Sequence, residues 1–306
     1  MGSMMNKENM KSEIARLKKE QDAVILVHNY QISEIHEIAD FLGDSLDLSR
    51  KAANVGASTI VFCGVDFMAE TAKILSPEKR VLLPRREASC PMAHMATPTA
   101  VQEMKARYPK AQVVTYVNST AEVKAVSDVC CTSANAVKIV QGLDTDEVIF
   151  APDKNLGAYV QRFTDKTVHL WDGYCYVHNQ FDPEEIKQAR AAHPEALLMV
   201  HPECPPDVID LADEVLSTSG MVTVARETSA KTVLVGTEAG MIDRLQRENP
   251  EKRFLSAGTL RTCRGMKAIR LEDVYHALRD GKIETELPET VIAPARAALE
   301  RMLSDA

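Results

Sequence analysis

The feature that most constrains this chain is a four-part pattern that recurs three times, about 85–88 residues apart. Its first part is an apolar run ending in protic groups: VILVHNY (24–30), QVVTYVN (112–118) and LLMVHPE (197–203). The second runs from an acidic residue through a short strand to a hydroxyl residue: DFLGDS (40–45), DVCCTS (128–133) and DEVLSTSG (213–220). The third is STIVFCGVD, DEVIFAPDK and KTVLVGTEA, each leading into an amphipathic stretch. The fourth is KRVLLPRREASC (79–90), KTVHLWDGYC (166–175) and KRFLSAGTLRTC (252–263). A sequence period of this length marks one structural unit used repeatedly.

Short β-branched runs alternate with amphipathic stretches of 8–12 residues, the rhythm of strand–helix units and parallel sheet. Run by run, strands are predicted near 24–28, 58–63, 80–84, 112–117, 128–132, 147–151, 167–171, 196–201, 214–217, 232–236 and 253–257. The expected fold class is α/β: three similar parallel-sheet αβα modules related by a pseudo-threefold axis around a central metal site. The modules are predicted at 11–95, 96–180 and 181–263, with a C-terminal helical segment (264–306) packing back on the first. The opening Met-Gly-Ser-Met reads as an expression remnant, with the natural start at Met4 or Met5.

Each fourth strand leads to one cysteine: Cys90, Cys175 and Cys263. The separations from the first-strand ends agree: 62 residues from His28 to Cys90, 59 from Tyr116 to Cys175 and 62 from His201 to Cys263. Ligands of open parallel sheets bind outside the carboxyl ends of the strands. Three modules facing one axis would therefore bring three thiols to one point. A closed structural zinc site takes four ligands, and a cubane cluster usually takes four cysteines. Three thiolates leave a metal position open, which is what a catalytic site needs. The bland alternative is three buried apolar thiols. Cys63, Cys130 and Cys131 lie inside apolar strands and read as core; Cys204 in HPECPP is a reserve ligand.

Protic groups surround the expected centre. The first strands end in His28-Asn29-Tyr30, Tyr116-Val117-Asn118 and His201-Pro202-Glu203, which can do acid–base work once burial and metal charge tune them. Ser45, Ser133, Ser217 and Thr218 stand at predicted helix starts, where hydroxyls cap and free N–H groups attract anions. Thr237 and Glu238 sit at a third-strand end. Neither a P-loop nor a dinucleotide glycine fingerprint is present, so ATP and dinucleotides are not expected.

Composition narrows the partners. A net charge of −8 without a basic block disfavours nucleic acid and anionic membranes. No apolar run reaches the roughly 20 residues needed to span a bilayer, and no signal-peptide pattern opens the chain. Seven widely spaced cysteines without such a signal point to a reducing, cytoplasmic setting rather than a disulfide framework. The residues alone leave four functions open: a metal-dependent enzyme with an iron–sulfur cluster, one with zinc, a cluster-based redox or iron sensor, and a solute-binding protein with incidental cysteines. The acidic charge and the lack of a basic reading helix count against the sensor.

The motifs VHNYQ, LGDSLDLS, CPMAHM, TYVNST, CCTSAN, WDGYCYVH, MVHPEC, STSGM, GTEAG and TCRGMK, in this order and spacing, resemble the quinolinate synthase family. The resemblance runs from about residue 20 to 300; it departs at CRGMK and at His94 in CPMAHM, which are positions next to ligands rather than ligands. It implies three α/β domains around a [4Fe-4S] cluster held by Cys90, Cys175 and Cys263, with one iron open as Lewis acid. It implies condensation of iminoaspartate with dihydroxyacetone phosphate to quinolinate, with loss of phosphate and two waters, in NAD biosynthesis. The expected catalytic residues are His28, Tyr30, Tyr116, His201 and Glu203. Ser45, Asn118, Ser133, His178, Ser217, Thr218 and Thr237 are the expected substrate-binding residues. A functional link to an enzyme that produces iminoaspartate, an aspartate oxidase or dehydrogenase, is also implied.

Overall fold

The structure is a computed structural model and describes residues 6–305. Met1 to Met5, with the expected starts at Met4 or Met5, lie outside the described residues. The first sheet comprises β1 (Ala23–His28), β2 (Phe41–Gly43), β3 (Thr59–Cys63) and β4 (Arg80–Leu82). The second comprises β5 (Gln112–Tyr116), β6 (Val129–Cys131), β7 (Glu147–Ala151) and β8 (Thr167–Leu170). The third comprises β9 (Leu197–Val200), β10 (Glu214–Val215), β11 (Thr232–Gly236) and β12 (Arg253–Ser256). The spatial orders are β2-β1-β3-β4, β6-β5-β7-β8 and β10-β9-β11-β12, the same permutation three times. Every strand pair within the sheets is parallel. The inner strands are Val/Ile/Leu-rich and almost wholly buried, as a parallel sheet covered on both faces requires.

The second strand of each sheet is only two or three residues long, and an aspartate before it compensates. Asp40, Asp128 and Asp213 each donate their N–H to the first strand, to the carbonyls of Ile25, Val113 and Leu198. The same residues accept, through Oδ2, the N–H of Ile25, Val113 and Leu198 at 2.7–2.8 Å. The acidic residue that opens the second part of each repeat is thus a strand extender, satisfying main-chain groups that the short strand leaves over. The 214–217 strand stops at Val215 because Ser217 turns to cap the helix Thr218–Glu227.

The C-terminal segment packs on the first sheet along its earlier part and leaves it with its last helix. Residues 283–285 lie antiparallel along β4, bridging Leu82 to Glu284, and so cover an edge of the first sheet. Helix Leu271–Asp280 packs on helix Lys7–Glu20 and β3. Helix Glu289–Asp305 does not stay with the first sheet: it packs mainly on β6 and helix Ala121–Ala125 of the second. Arg296 donates to the carbonyls of Ile74 and Leu75, and Arg301 to that of Asp128, so the helix ties two modules together. Its apolar face of Ile292, Ala295, Ala298, Leu299 and Met302 is buried. Among the described residues no helix is long and apolar enough to cross a membrane.

Candidate active site at the strand ends

The carboxyl ends of strands from all three sheets open into one cavity. The first sheet supplies His28, Tyr30, Ser45 and Cys90. The second supplies Tyr116, Asn118, Ser133, Cys175 and His178. The third supplies His201, Glu203, Thr218 and Cys263. Apolar side chains, including Val65, Phe67, Met92, Val177 and Met266, complete the wall.

Glu203 is the hub. Its Oε1 accepts the Tyr116 hydroxyl at 2.6 Å, and Asn118 Nδ2 approaches at 3.5 Å. Its Oε2 lies 2.6 Å from His178 Nδ1. His178 Nε2 lies 2.8 Å from Thr237 Oγ1, which in turn lies 2.6 Å from the Tyr30 hydroxyl. One hydrogen-bonded chain therefore crosses all three modules. Burial alone would raise the Glu203 carboxyl, but His178 first, and the Tyr116 hydroxyl with it, outweigh burial and bring it down to about 2, so the group is an anion. Burial first, and Glu203 next, push the Tyr30 and Tyr116 phenols above their ordinary range, so both stay protonated donors.

His28 and His201 occupy equivalent strand ends and share a local geometry. Each Nδ1 accepts the main-chain N–H two residues on, from Tyr30 at 3.2 Å and Glu203 at 3.4 Å. Burial brings both imidazoles down to about 3, so they are neutral. An occupied Nδ1 puts the ring proton on Nε2, making each a neutral donor. Asn118 Oδ1 is buried without a hydrogen-bond partner, an acceptor waiting for a donor that the protein does not supply.

The three cysteines are free thiols around the same cavity. Burial holds all three above the usual thiol range; neighbouring thiols add to this, Cys263 acting on Cys90, and Cys90 and Cys263 on Cys175. A metal would displace those protons. Among the described residues, the group of three potential ligand atoms within 4.8 Å of one another is Cys175, His178 and Glu203, not the cysteine trio. Thiolates sharing one zinc ion stand about 3.8 Å apart, from a Zn–S bond of about 2.3 Å and tetrahedral angles. Sulfurs bound to different irons of a cluster stand farther apart, so the trio suits a soft polynuclear group better than a single ion.

Two expected binding residues stand behind the wall rather than in it. Ser217 Oγ is occupied: it accepts from Gly220 N–H and donates to Asp44 Oδ2 at 3.2 Å. Thr237 bridges Tyr30 and His178. Ser45 lines the cavity but does not cap its helix; Asp44 does, accepting from Leu46 and Asp47 N–H at 3.0 Å. Ser133 sits in the turn before the helix Ala136–Gly142. Cys204 is buried in the core of the third sheet, donating toward the Gly236 carbonyl, and does not line the cavity. Cys63, Cys130 and Cys131 are buried in β3 and β6. The residues that sequence reasoning passed over are Asp44, Asp66 and Asp153; the last two carried a signal as the acidic ends of GVD and APD, parallel to Glu238 in GTE.

Fold and site together define a class: a three-module parallel α/β protein whose strand ends enclose a protic, three-thiol cavity. The family model described as "Quinolinate synthetase A protein" matches residues 12–304, and the chain belongs to that family. It is 53% identical over 300 residues to a quinolinate synthase of Geobacter sp. (strain M21), covering 98% of this chain and 99% of the relative. It is 54% identical over 301 residues to a quinolinate synthase of Thermococcus onnurineus (strain NA1), with the same coverage. A quinolinate synthase of Dehalococcoides mccartyi is 52% identical over 299 residues, covering 98% of this chain and 99% of the relative.

Proposed function

We propose that this protein is a quinolinate synthase that condenses iminoaspartate with dihydroxyacetone phosphate, releasing phosphate and two waters. We take a [4Fe-4S] cluster on Cys90, Cys175 and Cys263 as its cofactor. The single observation that carries the reading is the convergence of those free thiols with the Glu203–His178–Tyr116 network in one buried cavity. When bound, a cluster with one iron lacking a protein ligand supplies a Lewis acid for a substrate hydroxyl or carboxylate.

The side chains divide the remaining work. His28 and His201, neutral and donating from Nε2, bind carboxylate oxygens of the dicarboxylic substrate without carrying charge into the cavity. Asn118 Oδ1 accepts the imine or enamine N–H that its unpartnered state calls for. Ser45, Ser133 and Thr218 hold the phosphate and second-carboxylate end with neutral hydroxyls. Glu203 takes a carbon-bound proton during enamine formation and isomerisation, and His178, 2.6 Å away, shares the charge that this step moves. Tyr116 holds the carboxylate in place, and Tyr30 delivers a proton during water loss. The apolar wall keeps the imine from hydrolysis.

A second reading has one observation in its favour, the compact Cys175–His178–Glu203 group, which suits a single zinc ion. The test for both is an anaerobic incubation of the protein with oxaloacetate and ammonia (as a source of iminoaspartate) and dihydroxyacetone phosphate, with quinolinate identified by mass spectrometry and phosphate counted. Equal yields of quinolinate and phosphate, lost in Cys90→Ser and Cys263→Ser, support the first reading. Retention of metal and activity in those two variants supports the second.

A further inference from the structure

One arrangement occurs in all three modules and is not used by the chemistry just described. An acidic residue just past each third strand accepts the main-chain N–H of that module's cysteine. Asp66 Oδ1 takes Cys90 N–H at 3.3 Å, Asp153 Oδ2 takes Cys175 N–H at 3.2 Å, and Glu238 Oε1 takes Cys263 N–H at 3.1 Å. Each carboxylate also takes N–H groups of the helix that it opens. Asp66 takes Phe67 at 2.9 Å, Asp153 takes Asn155 and Leu156 at 2.8 and 2.9 Å, and Glu238 takes Gly240 at 2.7 Å. A main-chain bond completes each clip: Asp66 N–H to Ala88, Lys154 N–H to Gly173 and Ala239 N–H to Arg261, each acceptor two residues before a cysteine.

Capping alone does not explain these residues. A serine or asparagine caps a helix as well and buries no charge. Asp153 and Glu238 are fully buried, where an ionised group is costly unless its bonds require it. What a carboxylate adds over an amide is a second accepting atom. We propose that Asp66, Asp153 and Glu238 are positioning residues for the three cysteine loops. By taking up the cysteine N–H groups they clip each loop to its neighbouring helix, in the register in which three thiolates receive one cluster. This rests on the cluster reading above.

The geometry sets the three apart in a way a general packing role does not. Asp153 and Glu238 use one oxygen for the helix and the other for the cysteine. Lys267 adds a third partner to Glu238, 3.0 Å from Oε2. An amide at either position has one accepting oxygen, so its –NH2 must face an N–H group. Asp66 differs: Oδ1 alone serves Phe67 and Cys90, while Oδ2 faces the exposed His94 at 3.3 Å. Asp66→Asn therefore keeps both main-chain bonds, and Asp66→Ala keeps neither.

The test is anaerobic reconstitution of the full chain and of Asp66→Asn, Asp66→Ala, Asp153→Asn and Glu238→Gln. Iron and sulfide are counted, the reduced cluster is examined by electron paramagnetic resonance, and circular dichroism checks folding before loading. The expected result is wild-type loading and spectrum for Asp66→Asn, and less than half the iron in the other three with unchanged secondary structure. Wild-type loading in both Asp153→Asn and Glu238→Gln overturns the proposal, as does equal loading of Asp66→Asn and Asp66→Ala. If Asp153→Asn does not fold, the Asp66 pair and Glu238→Gln decide the matter by the same criteria. A wild-type chain that takes up no iron overturns the cluster reading itself, an outcome distinct from normal wild-type loading with unaffected variants.

Discussion

Replacing Glu203 with Gln removes the carboxylate at the hub of the cavity while keeping its shape. The amide oxygen at the Oε1 position still accepts the Tyr116 hydroxyl, which lies 2.6 Å from Oε1 in the native chain, so packing there is retained. At the Oε2 position an –NH2 faces His178 Nδ1, 2.6 Å away, and the imidazole must become an acceptor. His178 then carries its proton on Nε2 and donates to Thr237, a change its surroundings allow. The fold and the cysteine loops are therefore unaffected, whereas the variant has no group to take a substrate proton. Loss of a general base lowers turnover by about 10²- to 10⁴-fold. At about 1.36 kcal/mol per decade this is roughly 2.7–5.5 kcal/mol of barrier. The assay is anaerobic quinolinate formation, normalised to iron content so that turnover and loading are separated. Wild-type iron with at least a 10²-fold fall in kcat is expected. Turnover within about threefold of wild type at full iron content would remove Glu203 as the base.

Tyr116→Phe removes a donor that helps hold the Glu203 carboxyl down. A hydrogen bond to a charged group is worth about 1.5–3 kcal/mol, so the acidic limb of the kcat/KM profile should move up by roughly one to two pH units; an unmoved limb would contradict the network. Stability before metal loading should fall on mild acidification. Burial brings His28 and His201 down to about 3 and His36 to about 4, so the native state binds fewer protons than the unfolded chain below about pH 6.5. Stability is then lost as pH drops from about 6.5 toward 4, by up to about 1.4 kcal/mol per pH unit for each histidine; urea titrations at pH 7 and 5 measure it, and equal midpoints would refute it. Gly173→Ala would place a Cβ 2.3 Å from the Pro152 carbonyl oxygen, two residues before Cys175. The loop must shift, and the variant should lose metal content while keeping its far-ultraviolet circular dichroism.

Much of the architecture was legible because the repeat made each copy a control on the others. β2, three residues long, escapes a run-by-run search, yet DFLGDS aligned with DVCCTS and DEVLSTSG reveals it. Cys175 alone says little; in register with Cys90 and Cys263 it becomes one of a set. Bonds that cross between modules were not legible. Ser217 carries the signature of an anion-binding helix start, and nothing local shows that Asp44, 173 residues away, occupies its hydroxyl. Asp66, Asp153 and Glu238 look like ordinary caps in sequence, because the cysteine N–H groups that they also accept lie 22–25 residues on. The last helix carries an apolar face but no label for what covers it, and only the assembled modules place it across two of them.

The measurement that tests the central claim most directly is an iron and sulfide count with an absorption spectrum on anaerobically purified and reconstituted protein. It should be made beside single serine variants at Cys90, Cys175, Cys263 and Cys204. The account predicts a brown protein with close to the four irons and four sulfides of a cubane cluster. The cluster should be lost in the first three variants and kept in the fourth, whose thiol is buried away from the cavity. A colourless protein after reconstitution, or a cluster that survives the loss of Cys90, Cys175 or Cys263, would contradict it.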